Sequence, residues 1–167
     1  MLERLLGSYP KIIQQLEDDH RRVEALFVAY EEAKGPGKKK IARQLIDELT
    51  VHAAIEERIV YPAFRKAMSD SHTINEAYEE HHLVHVLLQA LKRLTFSETF
   101  DAKVQVLKEL IQHHVKEEES EVFPAAVKGK DVNWEALDRQ AQRIRKGGAT
   151  SSGLRRTRSQ ARLARAA

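Results

Sequence analysis

The apolar residues of this chain recur at steps of three and four along four long segments, and this spacing predicts four amphipathic helices. Short linkers separate them, and Gly35-Pro36-Gly37 ends the first. We expect N-caps at Ser8 for the first helix and Ser97 for the fourth, and a capping box of Thr73 with Glu76 for the third. The fourth helix must end or kink before its proline. The four predicted helices span about Pro10 to Lys34, Lys38 to Met68, Thr73 to Thr95 and Ser97 to Pro124.

Four helices of this length joined by short linkers predict an all-α fold, an antiparallel up-down-up-down four-helix bundle. Asn133 is the expected cap of a short C-terminal helix that ends near Arg145 and lies against the bundle through Trp134 and Leu137. The segment after it is rich in Gly, Ser, Thr, Ala and Arg, a composition that cannot bury enough apolar surface to order itself. The predicted organisation is a bundle over 1–128, a short C-terminal helix over 129–146 and a disordered Arg-rich tail over 147–167.

Each predicted helix carries a histidine on its apolar face, and the chain repeats this arrangement once. The histidines are 32 residues apart in the first half and 33 in the second. In helices two and four, a glutamate follows four residues after the histidine, and six residues later comes a proline preceded by an aromatic residue. The repeated residues are His20, His52 and Glu56 in the first half, and His81, His114 and Glu118 in the second.

These residues predict a metal site, because residues at i and i+4 project from one face of a helix about 6 Å apart along its axis. The chain has no cysteine, so nitrogen and oxygen donors alone are available. Seven donors are too many for one tetrahedral zinc ion, and they suit two octahedral ions bridged by both carboxylates. The predicted ligands are His20, His52, Glu56, His81, His85, His114 and Glu118.

Each assignment has a simpler alternative. A lone histidine on an apolar face is more often a hydrogen-bonded core residue, but five of them with two buried glutamates are costly to bury unless a metal compensates their charge. Two roles are open for Glu24. It is either an exposed glutamate paired with an Arg or Lys, or an additional carboxylate that reaches the metal bound by His20 or orients a bound peroxide. The remaining histidines, His72, His82 and His113, are expected on the surface. For Glu57, Glu117 and Glu119 we expect a solvated acidic face, or a role as acceptors for the outer N–H of a ligand imidazole.

In these features the chain resembles hemerythrin and the bacterial hemerythrin HHE cation-binding family. The resemblance covers roughly residues 10–126 and rests on DDHRRVEALF, HAAIEERIVYP, EEHHLVH and HHVKEEESEVFP. It implies a four-helix bundle around a non-heme di-iron pair, with Glu56 and Glu118 as bridges. His85 matches the second histidine of the third-helix pair in the oxygen carriers. In those carriers the ligand motif ends with an aspartate five residues after the last ligand histidine, whereas here Glu118 follows His114 by four residues. This difference places the chain nearer the bacterial enzymes and sensors.

A site rich in neutral imidazole favours the binding and reduction of small molecules over attack on C–H bonds. We therefore expect a protein that handles hydrogen peroxide, oxygen or nitric oxide at two iron ions, with catalase-like activity as the enzymatic form that we favour. The alternative is a non-enzymatic sensor of oxygen, redox state or iron, an oxygen carrier, or an iron store. The sequence contains no nucleophile dyad and no glycine-rich phosphate loop.

Charge is distributed unevenly along the chain. Residues 1–138 carry a net charge of −6, whereas the remainder carries nine basic and no acidic residues. The basic tail could neutralise phosphates, but no aromatic residue is interleaved to stack on bases, so we do not expect specific nucleic-acid binding. We expect a cytoplasmic protein, monomeric or homodimeric, because the N-terminus lacks the apolar core of a signal peptide and no stretch of 18 apolar residues occurs.

Overall fold

The computed structural model describes residues 9–70 and 72–148, and all regular elements in these ranges are helical. The predicted all-α class is therefore confirmed. No helix among these residues combines the length and the apolar character that a membrane crossing requires. The helices are α1 (Lys11–Glu32), α2 (Gly35–Ile55), α3 (Tyr61–Ala67), α4 (His72–Arg93), α5 (Glu98–Glu117), α6 (Phe123–Lys128) and α7 (134–148).

Two clusters of buried apolar side chains show how the helices are oriented. One cluster joins the beginnings of α1 and α4 to α3 and α6, and includes Leu16 and Phe64. The other joins the ends of α1 and α4 to α2 and α5, and includes Phe27 and Leu107. Successive long helices therefore run in opposite directions, which agrees with the predicted up-down-up-down bundle. The buried histidines lie between the two clusters in sequence, so the site occupies the interior of the bundle.

A π turn follows both α2 and α5 and carries the chain past a proline. The first spans Glu56–Val60 and the second spans Glu118–Val122. In each, the residue before the proline donates its N–H to the carbonyl of the glutamate five residues earlier. The predicted end or kink before Pro124 thus takes the form of a π turn, after which the helix continues as α6. π turns of this kind are frequent at functional sites.

The helix caps agree in part with those predicted. The Ser97 hydroxyl accepts the N–H of Phe100 at 3.3 Å, and the Asn133 side chain accepts the N–H of Ala136 at 3.0 Å. Thr73 does not cap α4, because the helix already begins at His72. Ser8 lies outside the described residues.

Helix α7 packs against the end of the bundle at which α1 begins. The Trp134 ring lies 5.9 Å from that of Phe64, and Leu137 and Ala141 are buried in the same apolar cluster. The helix extends to residue 148, past the predicted end near Arg145. The predicted disordered tail from residue 149 onward lies outside the described residues.

Leu137→Ala is expected to lower the free energy of unfolding by about 2–3 kcal/mol, because it removes a side chain that is 7% exposed from a packed cluster. Urea denaturation measures the change. Leu83→Ala is the matched control, since that side chain is 54% exposed and should change the stability by less than about 0.5 kcal/mol. Equal effects of the two substitutions would contradict the packing of α7 on the bundle.

Candidate metal centre

Six of the seven predicted ligands meet in the interior of the bundle, where each is at least nine-tenths buried. Their donor atoms form two groups, in each of which all atoms lie within 4.8 Å of one another. The first donor group comprises His20, His52, Glu56 and Glu118. The second donor group comprises Glu56, His81 and His114.

Both carboxylates face both groups. Glu56 places Oε1 3.1 Å from Nε2 of His52 and Oε2 3.3 Å from Nε2 of His81. Glu118 places Oε2 3.3 Å from Nε2 of His20 and 3.5 Å from Nε2 of His114. Each carboxylate therefore has the position of a bridge between the two groups.

The Glu56 and Glu118 carboxylates are buried, and most of their oxygens have no hydrogen bond. Glu56 is fully buried and Glu118 is 1% exposed. Neither oxygen of Glu56 has a hydrogen-bond partner, and nor does Oε2 of Glu118, although imidazole nitrogens lie within 3.5 Å of them. Buried carboxylate oxygens that lack hydrogen bonds are costly. Converging donors of this kind fit a pair of cations, which would satisfy them.

A second set of carboxylates fixes the four histidines from outside. Each imidazole directs Nε2 inward and donates Nδ1–H to a carboxylate, the arrangement that orients histidine ligands in metal proteins. We call these four acceptors the outer carboxylates. They are Glu119 for His20 at 2.9 Å, Asp19 for His52 at 3.3 Å, Glu57 for His81 at 2.8 Å and Glu80 for His114 at 2.6 Å.

The outer carboxylates obey the same repeat as the inner donors. Asp19 and Glu80 each directly precede the histidine of α1 or α4, and each holds the histidine of the next helix. The other two, Glu57 and Glu119, directly follow Glu56 and Glu118. Glu57 and Glu119 were among the acceptors predicted from the sequence, whereas Asp19 and Glu80 were not. An acidic residue before the first histidine of each half is the pattern that could have identified them.

Glu117 is the third acidic residue that sequence analysis considered as an acceptor. Its carboxylate lies 3.2 Å from Nε2 of His113, whose side chain is 60% exposed. It therefore belongs to the surface. His72 and His82 are also exposed, as expected.

Tyr61 reaches the site although sequence analysis did not select it. Its ring is fully buried, and its hydroxyl donates to Oε1 of Glu118 at 2.7 Å. The same hydroxyl lies 3.2 Å from Nε2 of both His81 and His114. Phe123 occupies the equivalent position in the second half and stacks 6.0 Å from the His20 ring. The Tyr61 hydroxyl therefore lies beside His81 and His114, whereas Phe123 offers no hydroxyl to His20.

The charges of the site shift the pKa values of its residues. Burial would lower the pKa of His52, but the charge of Glu56 and the hydrogen bond to Asp19 raise it to about 10. Burial likewise opposes the protonation of His81, but contacts with the carboxylates of Glu56 and Glu57 raise its pKa to about 9. Burial raises the pKa of Glu56, yet the charge of His52 holds it well below its ordinary value. The carboxylates thus favour the protonated form of His52 and His81, and a cation bound at the same nitrogens would compete with those protons.

The profile of the Hemerythrin HHE cation binding domain matches residues 11–126, more than half of the chain. The chain belongs to this family. The family resemblance inferred from the sequence is thereby confirmed, and the buried His/Glu groups suit a domain named for cation binding.

Two other proteins are similar to this hemerythrin domain in structure or in sequence. A solved hemerythrin HHE cation binding domain-containing protein from Mycobacterium kansasii has a TM-score of 0.66 and 23% identity, over 79% of this chain and 85% of that one. This likeness shows the shared fold. A protein of Nostoc sp. named DNA nickase is 32% identical over 109 residues. The match spans 64% of this chain and 31% of the Nostoc protein, so the chain corresponds to less than a third of that relative.

His85 lies outside both donor groups of the hemerythrin domain. Its side chain is 40% exposed, and its Nε2 lies 2.6 Å from Oε1 of Glu57. The helical spacing from His81 is right, but Glu57 holds the imidazole at the edge of the site. His85 thus contacts an outer carboxylate, and its ring lies edge-on to that of His81 with 6.5 Å between the ring centroids. Glu24, at the corresponding position of the first half, is exposed and belongs to neither group.

A small cavity adjoins His20, His52, His81 and His114. Its volume is about 10 Å³, which is enough for one molecule of the size of water. The histidines form one side. The remaining walls are apolar and consist of Val23, Leu49, Ala53, Val84, Ile111 and Val115. The cavity therefore restricts access to molecules of very few atoms.

Proposed function

We propose that this hemerythrin domain binds two iron ions and uses them to process a small oxidant or gas, with hydrogen peroxide as the favoured substrate. The observation that supports this most directly is the position of the two carboxylates. Glu56 and Glu118 each lie within 3.5 Å of an imidazole nitrogen from both donor groups. This is the disposition that two bridged ions require.

Six of the seven ligands predicted from the sequence, all except His85, divide between the two ions by proximity. His20 and His52 would hold one ion, His81 and His114 the other, and the two carboxylates would bridge them. Iron would supply the electron-transfer chemistry that these side chains lack. Imidazole and carboxylate also accept manganese and zinc, so the choice of iron rests on family membership and on the donor set together.

The protein residues would select and position the substrate. The apolar walls exclude charged molecules, and the cavity volume of about 10 Å³ admits oxygen, nitric oxide or peroxide only with small movements of its side chains. The outer carboxylates keep each Nε2 directed inward. The Tyr61 hydroxyl is a proton donor at the second donor group, and burial together with the charges of Glu118 and Glu56 raises its pKa well above the ordinary value.

Oxygen evolution from hydrogen peroxide tests the favoured activity. We expect the iron-loaded protein to release oxygen in an oxygen-electrode assay, and we expect His114→Ala to lose this activity because a donor of the second group is removed. Glu121→Gln, an exposed position three residues after Glu118, should retain it. Iron binding without oxygen release, combined with reversible oxygen binding, would instead support the carrier or sensor function.

A further inference from the structure

The outer carboxylates of the first donor group are held by arginines. Arg145 of α7 contacts both oxygens of Asp19, at 3.0 and 2.6 Å, and Arg22 contacts the same carboxylate. Arg21 contacts both oxygens of Glu119, at 2.6 and 3.2 Å. Paired contacts of this kind are the strong form of the arginine–carboxylate interaction. Three permanently positive groups thus surround two negative ones.

The outer carboxylates of the second donor group contact histidines. His85 Nε2 lies 2.6 Å from Glu57, and His113 Nε2 lies 3.4 Å from Glu80. Both histidines are substantially exposed, at 40% and 60% of their side chains. In the described part of the chain, no arginine or lysine forms an ion pair with Glu57 or Glu80. The two halves of the repeat therefore match in their carboxylates but differ in the side chains that contact these carboxylates, which are arginines in the first half and histidines in the second.

This difference affects a bound cation in two ways that act in the same direction. Arginines near the first group repel a dication, whereas Glu57 and Glu80 near the second group, which have no arginine partner among the described residues, attract it. A carboxylate on the outer N–H makes an imidazole a better metal ligand, and an arginine on the same carboxylate weakens that effect. The second group also has the Tyr61 hydroxyl within 3.2 Å of both imidazoles.

We propose that the two metal positions are unequal: the position at His81 and His114 binds a divalent cation more tightly and fills first, and Arg21 and Arg145 weaken the position at His20 and His52. This proposal rests on the proposed binding of two ions.

Arg145 lies outside the family domain, which ends at residue 126. Part of the asymmetry therefore comes from a segment that this chain carries after the domain. Helix α7 runs alongside α1 in the same direction, and Lys11 contacts Asp138, Gln15 contacts Gln142 and Asp19 contacts Arg145. The added helix thus brings a guanidinium group to one metal position.

Titration of the metal-free protein with cobalt(II) tests the proposal, because this ion accepts the same donors and its visible absorption reports coordination. We expect two binding steps of different affinity. His20→Ala should keep the tight step and lose the weak one, whereas His114→Ala should lose the tight step. Calorimetry gives both constants, and circular dichroism verifies that each variant is folded.

Arginine variants test the cause of the asymmetry. Arg145→Gln should strengthen the weak step about tenfold and leave the tight step unchanged, and Arg21→Gln should act in the same direction. Arg145→Lys retains the charge and should stay close to the unaltered protein. Arg139→Gln is the control on the same helix, because Arg139 contacts only the exposed Glu135 among the recorded ion pairs of the described residues.

Two outcomes would overturn this inference while leaving the proposed function intact: two equal binding steps, or loss of the tight step in His20→Ala. A weak step unchanged in both Arg145→Gln and Arg21→Gln would overturn the role of the arginines. A protein that binds no cobalt and no iron would contradict the proposed function itself, which separates the two failures.

Discussion

Glu56→Gln is expected to abolish the binding of two metal ions, with a loss of affinity of more than about 100-fold at both positions. The two oxygens of Glu56 face different donor groups, one 3.1 Å from His52 and the other 3.3 Å from His81. The glutamine amide has a single neutral oxygen, whereas the glutamate carboxylate shares a negative charge between two oxygens. Metal analysis after dialysis against iron(II) measures the effect.

Glu48→Gln is the control for this substitution, because Glu48 lies on the same helix two turns earlier and contacts Arg22 at 3.9 Å. Its removal should leave the metal content unchanged. Retention of two tightly bound ions in Glu56→Gln would show that Glu56 is not a bridge.

Tyr61→Phe is expected to reduce the peroxide turnover by about 100-fold while the two ions remain bound. The hydroxyl lies 3.2 Å from Nε2 of both His81 and His114 and can donate a proton there, and its loss also leaves Oε1 of Glu118 without its partner. The cost in the free energy of unfolding of the metal-free protein should be about 1–2 kcal/mol. Oxygen evolution and urea denaturation measure the two effects separately.

The repeat provides the matched control for Tyr61. Phe123→Tyr introduces a hydroxyl at the equivalent position beside His20, within the first donor group. In the double variant Tyr61→Phe with Phe123→Tyr, the turnover should remain low if the hydroxyl acts at the second group. Full turnover in Tyr61→Phe would exclude its role as a proton donor.

The helices and the inner donors could be predicted from the sequence because a single periodicity governs both. Residues on the apolar face of a helix in a bundle point to its interior, so His20, His52, His81 and His114 had to converge once four antiparallel helices were expected. The step of four residues then placed Glu56 beside His52. The same rule placed His85 beside His81, but proximity along a helix does not determine where a side chain turns, and Glu57 holds His85 at the edge.

The outer carboxylates and Tyr61 were harder to predict because they depend on contacts between helices. Asp19 lies one residue from His20 yet serves His52 on the neighbouring helix. Tyr61 lies after a π turn, which rotates the following residues relative to a regular helix and brings the ring into the site. The helical periodicity of the sequence predicts neither the contacts between helices nor the rotation after a π turn. The repeat also aligns Tyr61 with Phe123, which lacks the hydroxyl.

The number of iron ions bound per chain tests the central claim most directly. Metal-free protein loaded with iron(II) in the absence of oxygen, then desalted, should retain about two ions per chain. The two carboxylates shared between the donor groups require this number. Retention of a single ion, or of none, would contradict a bridged pair held by Glu56 and Glu118.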